Sequence, residues 1–136
     1  MAVILIMDDN ASLARLLGYA LEDEGHSCNL ASDGREAWTT LCDQHHDLLI
    51  SDLHVSKGEG GQSLLENIRQ GIGSEKMPWL AEMPVIVLTG KMSMEDQSPG
   101  VSLATHLKVD AALIKPAPLE DVCAEVERLL NNCRTA

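Results

Sequence analysis

Three carboxylates, a hydroxyl and an amine stand at the ends of short apolar runs spread along the chain. Asp8 and Asp9 follow Val-Ile-Leu-Ile-Met, Asp52 follows Leu-Leu-Ile-Ser, Thr89 follows Val-Ile-Val-Leu, and Lys115 follows Ala-Leu-Ile. Carboxylate oxygens in that number suit a hard divalent cation. An ammonium and a hydroxyl beside them suit the oxygens of a phosphoryl group. Taken singly, most of these residues have ordinary explanations. Adjacent aspartates ahead of a helix are common as caps and dipole partners, a strand-end threonine is unremarkable in itself, and a lone lysine is usually solvated. Asp52 is harder to dismiss, because an acid closing a buried strand is costly without partners.

The elements that must position these residues follow from hydrophobic periodicity. Apolar runs rich in Val and Ile, separated by helical stretches, read as buried parallel strands. Strands are predicted at residues 2–7, around Ser27–Ala31, and at Asp47–Ser51, Pro84–Leu88 and Ala111–Ile114. A helix is predicted over Ala11–Glu24, with Asn10 as its N-cap and Gly25 as a left-handed stop. Its inward stripe is Leu13, Leu16, Leu17, Ala20 and Leu21. Asp33–His45 forms a second helix with Ala37, Trp38 and Leu41 inward, and Gln62–Gln70 a third. A short helix is expected near Val101–Lys108. The last begins near Pro118, a favoured first-turn residue, and buries Leu119, Val122, Val126, Leu129 and Leu130.

A βα repeat of about five units gives an α/β fold, a parallel sheet with helices on both faces. Ligands of such open sheets bind just beyond the carboxyl ends of the strands, so the five polar residues converge on one patch. His54–Gly61, with three glycines, is a sharply bending loop. The long connections Gly71–Met83 and Gly90–Gly100 are either functional loops or harmless surface insertions.

Composition narrows the function classes. A length of 136 residues fits one domain, 1–136, with a single core. Hydrophobic residues make up 45% but aromatics only 2%, with no Phe, so the core must be aliphatic. The net charge of -11, from 21 acids against 10 Lys and Arg, disfavours nucleic acid and anionic membrane as partners. The first residues lack the basic start of a secretory signal, and no apolar run approaches membrane-spanning length. The four cysteines have neither Cys-x-x-Cys nor zinc-like spacing, and are expected as reduced, mostly buried thiols of a cytoplasmic protein. His45-His46 is read as a helix-end pair favoured by the dipole rather than a transition-metal site. Trp38 and Trp79 are read as packing residues.

Asp8-Asp9-Asn10, Asp52 after its strand, Thr89 and Lys115-Pro116 together resemble the receiver domain of bacterial two-component response regulators. The order and spacing match over essentially the whole chain. The resemblance implies a three-layer, flavodoxin-like sandwich with five parallel strands in the order 2-1-3-4-5. It implies that Asp52 is the nucleophile, taking a phosphoryl group from a phosphohistidine of a sensor histidine kinase or a histidine phosphotransfer protein. Mg2+ would be held by Asp9 directly, by Asp8 mostly through water, by Asp52, and by the backbone carbonyl of His54. Lys115 would pair with Asp52 and then with a phosphoryl oxygen. Thr89 would donate its hydroxyl to another and draw the loop after the fourth strand inward. The chain is then expected to be a receiver without an output domain, signalling by docking to a downstream protein. It would catalyse only its own phosphoryl transfer and dephosphorylation.

The sequence departs from the family pattern in three places. Ala112 stands three positions before the lysine, where the family usually has an aromatic that turns inward. Ala117 stands where an aromatic usually follows Lys-Pro, and Ser56 replaces the usual proline after the acceptor. The threonine half of the switch survives, and Gly90–Gly100 is the expected carrier of the signal. His54 and Lys91, two residues beyond Asp52 and Thr89, are expected to alter the lifetime of the phosphorylated state. The alternative is a receiver-like binding module that works without phosphate. Two enzyme classes of similar topology fit less well. A haloacid-dehalogenase-type phosphatase needs an aspartate where His54 stands, and a flavin protein needs a phosphate loop where Asp8-Asp9-Asn10 stands.

Overall fold

The computed structural model describes residues 2–52, 68, 78–89, 110–114 and 118–135. Elements are labelled in chain order among these residues. Five strands, β1 (Val3–Met7), β2 (Ser27–Ala31), β3 (Leu48–Asp52), β4 (Val85–Thr89) and β5 (Ala111–Ile114), form one parallel sheet in the order β2-β1-β3-β4-β5. The helices are α1 (Ala11–Asp23), α2 (Gly34–Asp43) and α3 (Leu119–Thr135), with a short 3-10 helix at Pro78–Glu82. The predicted fold class and strand order are both found.

Successive side chains on a strand point to opposite faces, and here both faces are covered. Leu5, Met7, Leu49, Val85 and Val87 pack with Ala37 and Leu41 of α2, and with Ile68, Leu80 and Met83. Ile4, Ile6, Leu48, Ile50, Ile86 and Leu88 pack with Ala14, Leu17 and Leu21 of α1 and Val122, Val126, Leu129 and Leu130 of α3. Burial on both sides is why these strands are continuous apolar runs rather than alternating ones. Trp38 and Trp79 pack against the α2-side core as expected.

Helix α1 begins and ends as predicted. Asn10 Oδ1 accepts the Leu13 N–H at 3.1 Å. At the other end Gly25 has φ of 98°, which glycine adopts without a Cβ penalty. The Gly25 N–H reaches the Glu22 carbonyl and the His26 N–H the Leu21 carbonyl, the paired bonds of a Schellman stop. The chain is thereby turned at once into β2.

Some expectations are corrected. Leu16 is 54% exposed and Leu119 36% exposed, so neither belongs to the buried stripe. Leu16 faces away from the side of α1 that carries Ala14, Leu17, Gly18 and Leu21, and Leu119 lies in the first turn of α3 before it meets the core. α2 stops at Asp43 rather than His45, and His46 is buried. Asp52 is the last residue of β3 rather than the residue beyond it. Pro78–Glu82 is a 3-10 helix inside what read as a loop. Cys42 is exposed, and Cys28 and Cys123 are half-buried. The predicted helix Gln62–Gln70 is described only at Ile68, which is helical and fully buried. The predicted helix Val101–Lys108, and the loops His54–Gly61 and Gly90–Gly100, lie outside the described residues.

Candidate functional site

The sheet register brings the acids together. Met7 of β1 lies level with Ser51 of β3, so Asp8, next in the chain, comes level with Asp52. Asp8 stays tied to β2, its N–H donating to the Ala31 carbonyl at 3.0 Å. Its carboxylate then turns the chain, Oδ1 accepting the Asn10 N–H at 2.9 Å. This is an Asx turn, in which an aspartate bonds the amide two residues on. It swings the backbone from β1 into α1 and leaves Asp9 exposed at the bend. Asp52 ends β3 between β1 and β4, opposite Leu88, and is buried like Asp8.

Asp8, Asp9 and Asp52 each offer a carboxylate oxygen, and these oxygens all lie within 4.8 Å of one another. Among the described residues no other group of three His, Cys, Asp or Glu side chains comes as close. Two oxygens bound to one magnesium at about 2.1 Å stand at most about 4.2 Å apart, so the cluster is of the right size. Its donors are all oxygen, which favours a hard cation over zinc or copper. Like charges this close repel, and a cation among them reverses the sign of that interaction. The three residues fit a magnesium-sized ion.

The other predicted site residues are placed in part. Thr89 is the last residue of β4 and pairs in register with Ile114 of β5, one step beyond the level of Asp52 and Leu88. It therefore stands at the same carboxyl edge of the sheet, with its side chain outside the described residues. Lys115, next after Ile114, and His54 and Lys91 also lie outside the described residues. Ala112 lies level with Val87 on β5 and is exposed.

Two contributors were missed in the sequence. Asn10 was read as a cap and as part of the Asp8-Asp9-Asn10 motif, without a role toward Asp8, yet its backbone N–H fixes the Asp8 carboxylate while its side chain caps α1. The Asp-x-Asn spacing was the available signal, since that pattern can make an Asx turn and an N-cap in succession. Ser51, fully buried, turns its hydroxyl to the Asp52 carbonyl at 3.3 Å. Nothing in the local sequence pointed to that contact.

Comparison with known proteins places this geometry in a family. A family model described as the response regulator receiver domain matches residues 4–127. The virulence transcriptional regulatory protein PhoP of Salmonella typhimurium is 32% identical over 127 residues, covering 93% of this chain and 51% of that protein. The transcriptional regulatory protein PcoR of Escherichia coli is 30% identical over 132 residues, covering 97% of this chain and 53% of its own length. The chain thus spans about half the length of these curated relatives. A crystal structure of a two-component response regulator from Clostridium difficile superposes with a TM-score of 0.78 at 26% identity, covering 96% of this chain and 97% of that one. Because the match runs unbroken from the first strand into the last helix, the chain belongs to the response regulator receiver domain family.

Proposed function

We propose that this receiver accepts a phosphoryl group on Asp52 from a phosphohistidine, with Mg2+ bound by the acidic cluster, and signals by docking to other proteins. The observation that carries the reading is the convergence of Asp8, Asp9 and Asp52 within 4.8 Å at the carboxyl edge of the sheet. An Asp52 oxygen attacks phosphorus, the P–N bond breaks, and the bonding pair leaves on the imidazole nitrogen of the donor. The product is a mixed anhydride on Asp52. The cation supplies positive charge where three carboxylates and a phosphoryl group would otherwise repel.

In this reading Asp9 and Asp52 would hold the cation directly and Asp8 mainly through water. Asp8 has one oxygen engaged by the Asn10 amide, which orients its carboxylate. The family resemblance would have the backbone carbonyl of His54 add a ligand, Lys115 pair with Asp52 and then with a phosphoryl oxygen, and Thr89 donate its hydroxyl to another. The donor is a sensor histidine kinase or a histidine phosphotransfer protein. In the same reading the protein turns over no free substrate and acts in the cytoplasm.

The test is incubation with acetyl phosphate or phosphoramidate and magnesium, read by intact-protein mass. One added phosphoryl group is expected, lost in Asp52→Asn and in excess chelator. Unmodified protein under every donor would overturn the proposal. That outcome would favour the second reading, a docking module that works without phosphate. The observation on its side is Ala112, exposed on β5 where the family usually carries its inward-turning aromatic.

A further inference from the structure

Ser51 carries the only polar side chain on its face of β3. Successive side chains alternate along a strand, so it shares that face with Leu49, which packs on the α2 side of the sheet. Level with Ser51 stand Met7 of β1 and Val87 of β4, both fully buried in the same core. Ser51 is itself 0% exposed. A hydroxyl drawn out of water into an apolar layer is costly unless it is bonded, and alanine would occupy that place without the cost. Among the described residues the Ser51 hydroxyl donates to the Asp52 carbonyl, at 3.3 Å. The packing has no use for this hydroxyl, and the bond it makes leads to a member of the acidic cluster.

We propose that Ser51 is a positioning residue: its hydroxyl holds the Asp52 carbonyl, fixes the peptide plane at the end of β3, and so aims the Asp52 carboxylate at Asp8 and Asp9. The carbonyl and the acidic side chain leave the same Cα, and the ψ angle that turns the one also selects the rotamers open to the other. Met7 and Ser51 form the last pair of the β1–β3 ladder. Asp52 stands one residue beyond it, in register with Leu88 of β4. Strand ends are the least constrained part of a ladder, so a side-chain bond there adds most to the definition of the backbone.

Asp8 is set in a comparable way, its Oδ1 held by the Asn10 N–H at 2.9 Å. Each buried carboxylate of the cluster is thus oriented by a chain neighbour, Asp8 through its own oxygen and Asp52 through its backbone. Outer bonds of this kind raise affinity by holding ligands in the geometry the ion needs. Ser51 is not itself a ligand, since its side chain leaves the strand on the face opposite to that of Asp52. The inference rests on the reading of Asp52 as cation ligand and phosphoryl acceptor.

The experiment compares the full chain with Ser51→Ala, Ser51→Cys and Ser51→Thr. Ser51→Cys keeps the size but leaves a weak donor, and Ser51→Thr keeps the hydroxyl. Magnesium is titrated by calorimetry, and the Asp52 carbonyl is followed by its carbon-13 shift in metal-free protein. The magnesium dissociation constant should rise about fivefold in Ser51→Ala and Ser51→Cys, the worth of one neutral hydrogen bond. In Ser51→Thr it should stay within about twofold of the wild type. The carbonyl shift should move in the first two variants before any cation is added. A serine with a purely structural role would lower the urea midpoint and leave magnesium affinity and the Asp52 carbonyl signal unchanged, which would overturn the proposal. Equal loss of affinity in all three variants would do the same. If the added methyl of Ser51→Thr is not accommodated, Ser51→Ala and Ser51→Cys decide alone. Wild-type protein that neither binds magnesium nor accepts a phosphoryl group would overturn the reading of the site, and this inference with it. Wild-type protein that does both, beside an unchanged Ser51→Ala, would overturn this inference alone.

Discussion

The two ends of the sheet use polar side chains in opposite ways. At the carboxyl ends, Asp8, Asp9 and Asp52 crowd together. At the amino ends of β2, β3 and β5 a polar residue stands just before the strand and takes an amide at the start of a neighbouring strand. Asp47 Oδ2 accepts the Val3 N–H at 2.8 Å, and the Asp47 N–H returns to the Val3 carbonyl at 2.7 Å. Asp110 does the same for Val85, at 2.8 and 2.9 Å. His26 plays the part for β1 and β2, its Nδ1 accepting the Ala2 N–H at 3.2 Å while Ser27 donates to the Ala2 carbonyl. A parallel ladder leaves the first amide of a strand without a ladder partner, and a buried amide must find one. The same residue types are structural at one end, where each is matched to a backbone group. They are functional candidates at the other, where three carboxylates converge within 4.8 Å.

A divalent cation should separate the two ends most clearly. At one hundred times its dissociation constant, magnesium is expected to stabilise the chain by about 2.7 kcal/mol, read as a rise in urea midpoint. In Asp9→Asn most of that gain should vanish, whereas Asp47→Asn should keep it. Equal stabilisation of both variants would remove the acidic cluster as the binding site.

The amino end has its own buried titratable group. His46 is 1% exposed, with Nδ1 at 2.9 Å from the Gln44 carbonyl and Nε2 at 3.0 Å from the Asn29 amide. These partners fix the ring neutral, donating from Nδ1 and accepting at Nε2. Burial pushes its pKa below the ordinary value, partly offset by the Gln44 carbonyl. The unfolded chain therefore binds the proton more readily. The stability this group contributes is fully present above its unfolded pKa of about 6.5 and is lost as pH falls through the lower folded value. His46→Ala should cost about 2–3 kcal/mol at pH 7 through the cavity and the stranded partners. Relative to the wild type, it should also show a shallower loss of stability below pH 6.5. A variant with the full acid slope would assign that slope to other groups.

How far the sequence disclosed this arrangement differs between the ends for a physical reason. A strand buried on both faces is an apolar run, so the places where Asp8, Asp52 and Thr89 interrupt such runs were visible without coordinates. The amino-end acids interrupt nothing. Asp47 was read as the first residue of its strand and Asp110 was passed over, because their role depends on which strand lies alongside. His46 was misplaced for a related reason. The helical pattern of α2 continues past Asp43, but the Gln44 backbone turns extended, with φ of -151°, and carries His46 into the sheet's edge. Leu16 looked like core because leucine at helical spacing usually is, yet it is 54% exposed.

Comparing the two aspartate clamps sharpens the distinction between wet and dry amides. Val85 is fully buried, while Val3 is half-buried. Without its carboxylate the Val85 amide has no water to turn to, so Asp110→Ala should cost about 2 kcal/mol and Asp47→Ala about 1 kcal/mol. Urea unfolding of the pair would decide it, and equal losses would mean that solvent access at Val3 is irrelevant.

The smallest effect concerns Asn10, where structural and functional bonding meet in one residue. Its side chain holds the Leu13 amide, and its own amide holds Asp8. Asn10→Ala removes the first bond and keeps the second, because every residue except proline carries the backbone N–H. The loss of the cap should lower stability by about 1 kcal/mol. The Asp8 carboxylate stays aimed, so magnesium affinity should change by less than about twofold, a difference of under about 0.4 kcal/mol. Asn10→Ser restores a capping oxygen and should recover most of the stability. If magnesium binding instead fell together with stability in Asn10→Ala, and returned with it in Asn10→Ser, the turn into α1 and the acidic cluster would be one cooperative unit. The contrast between the two ends of the sheet would then lie in the backbone that carries the carboxylates as much as in their charge.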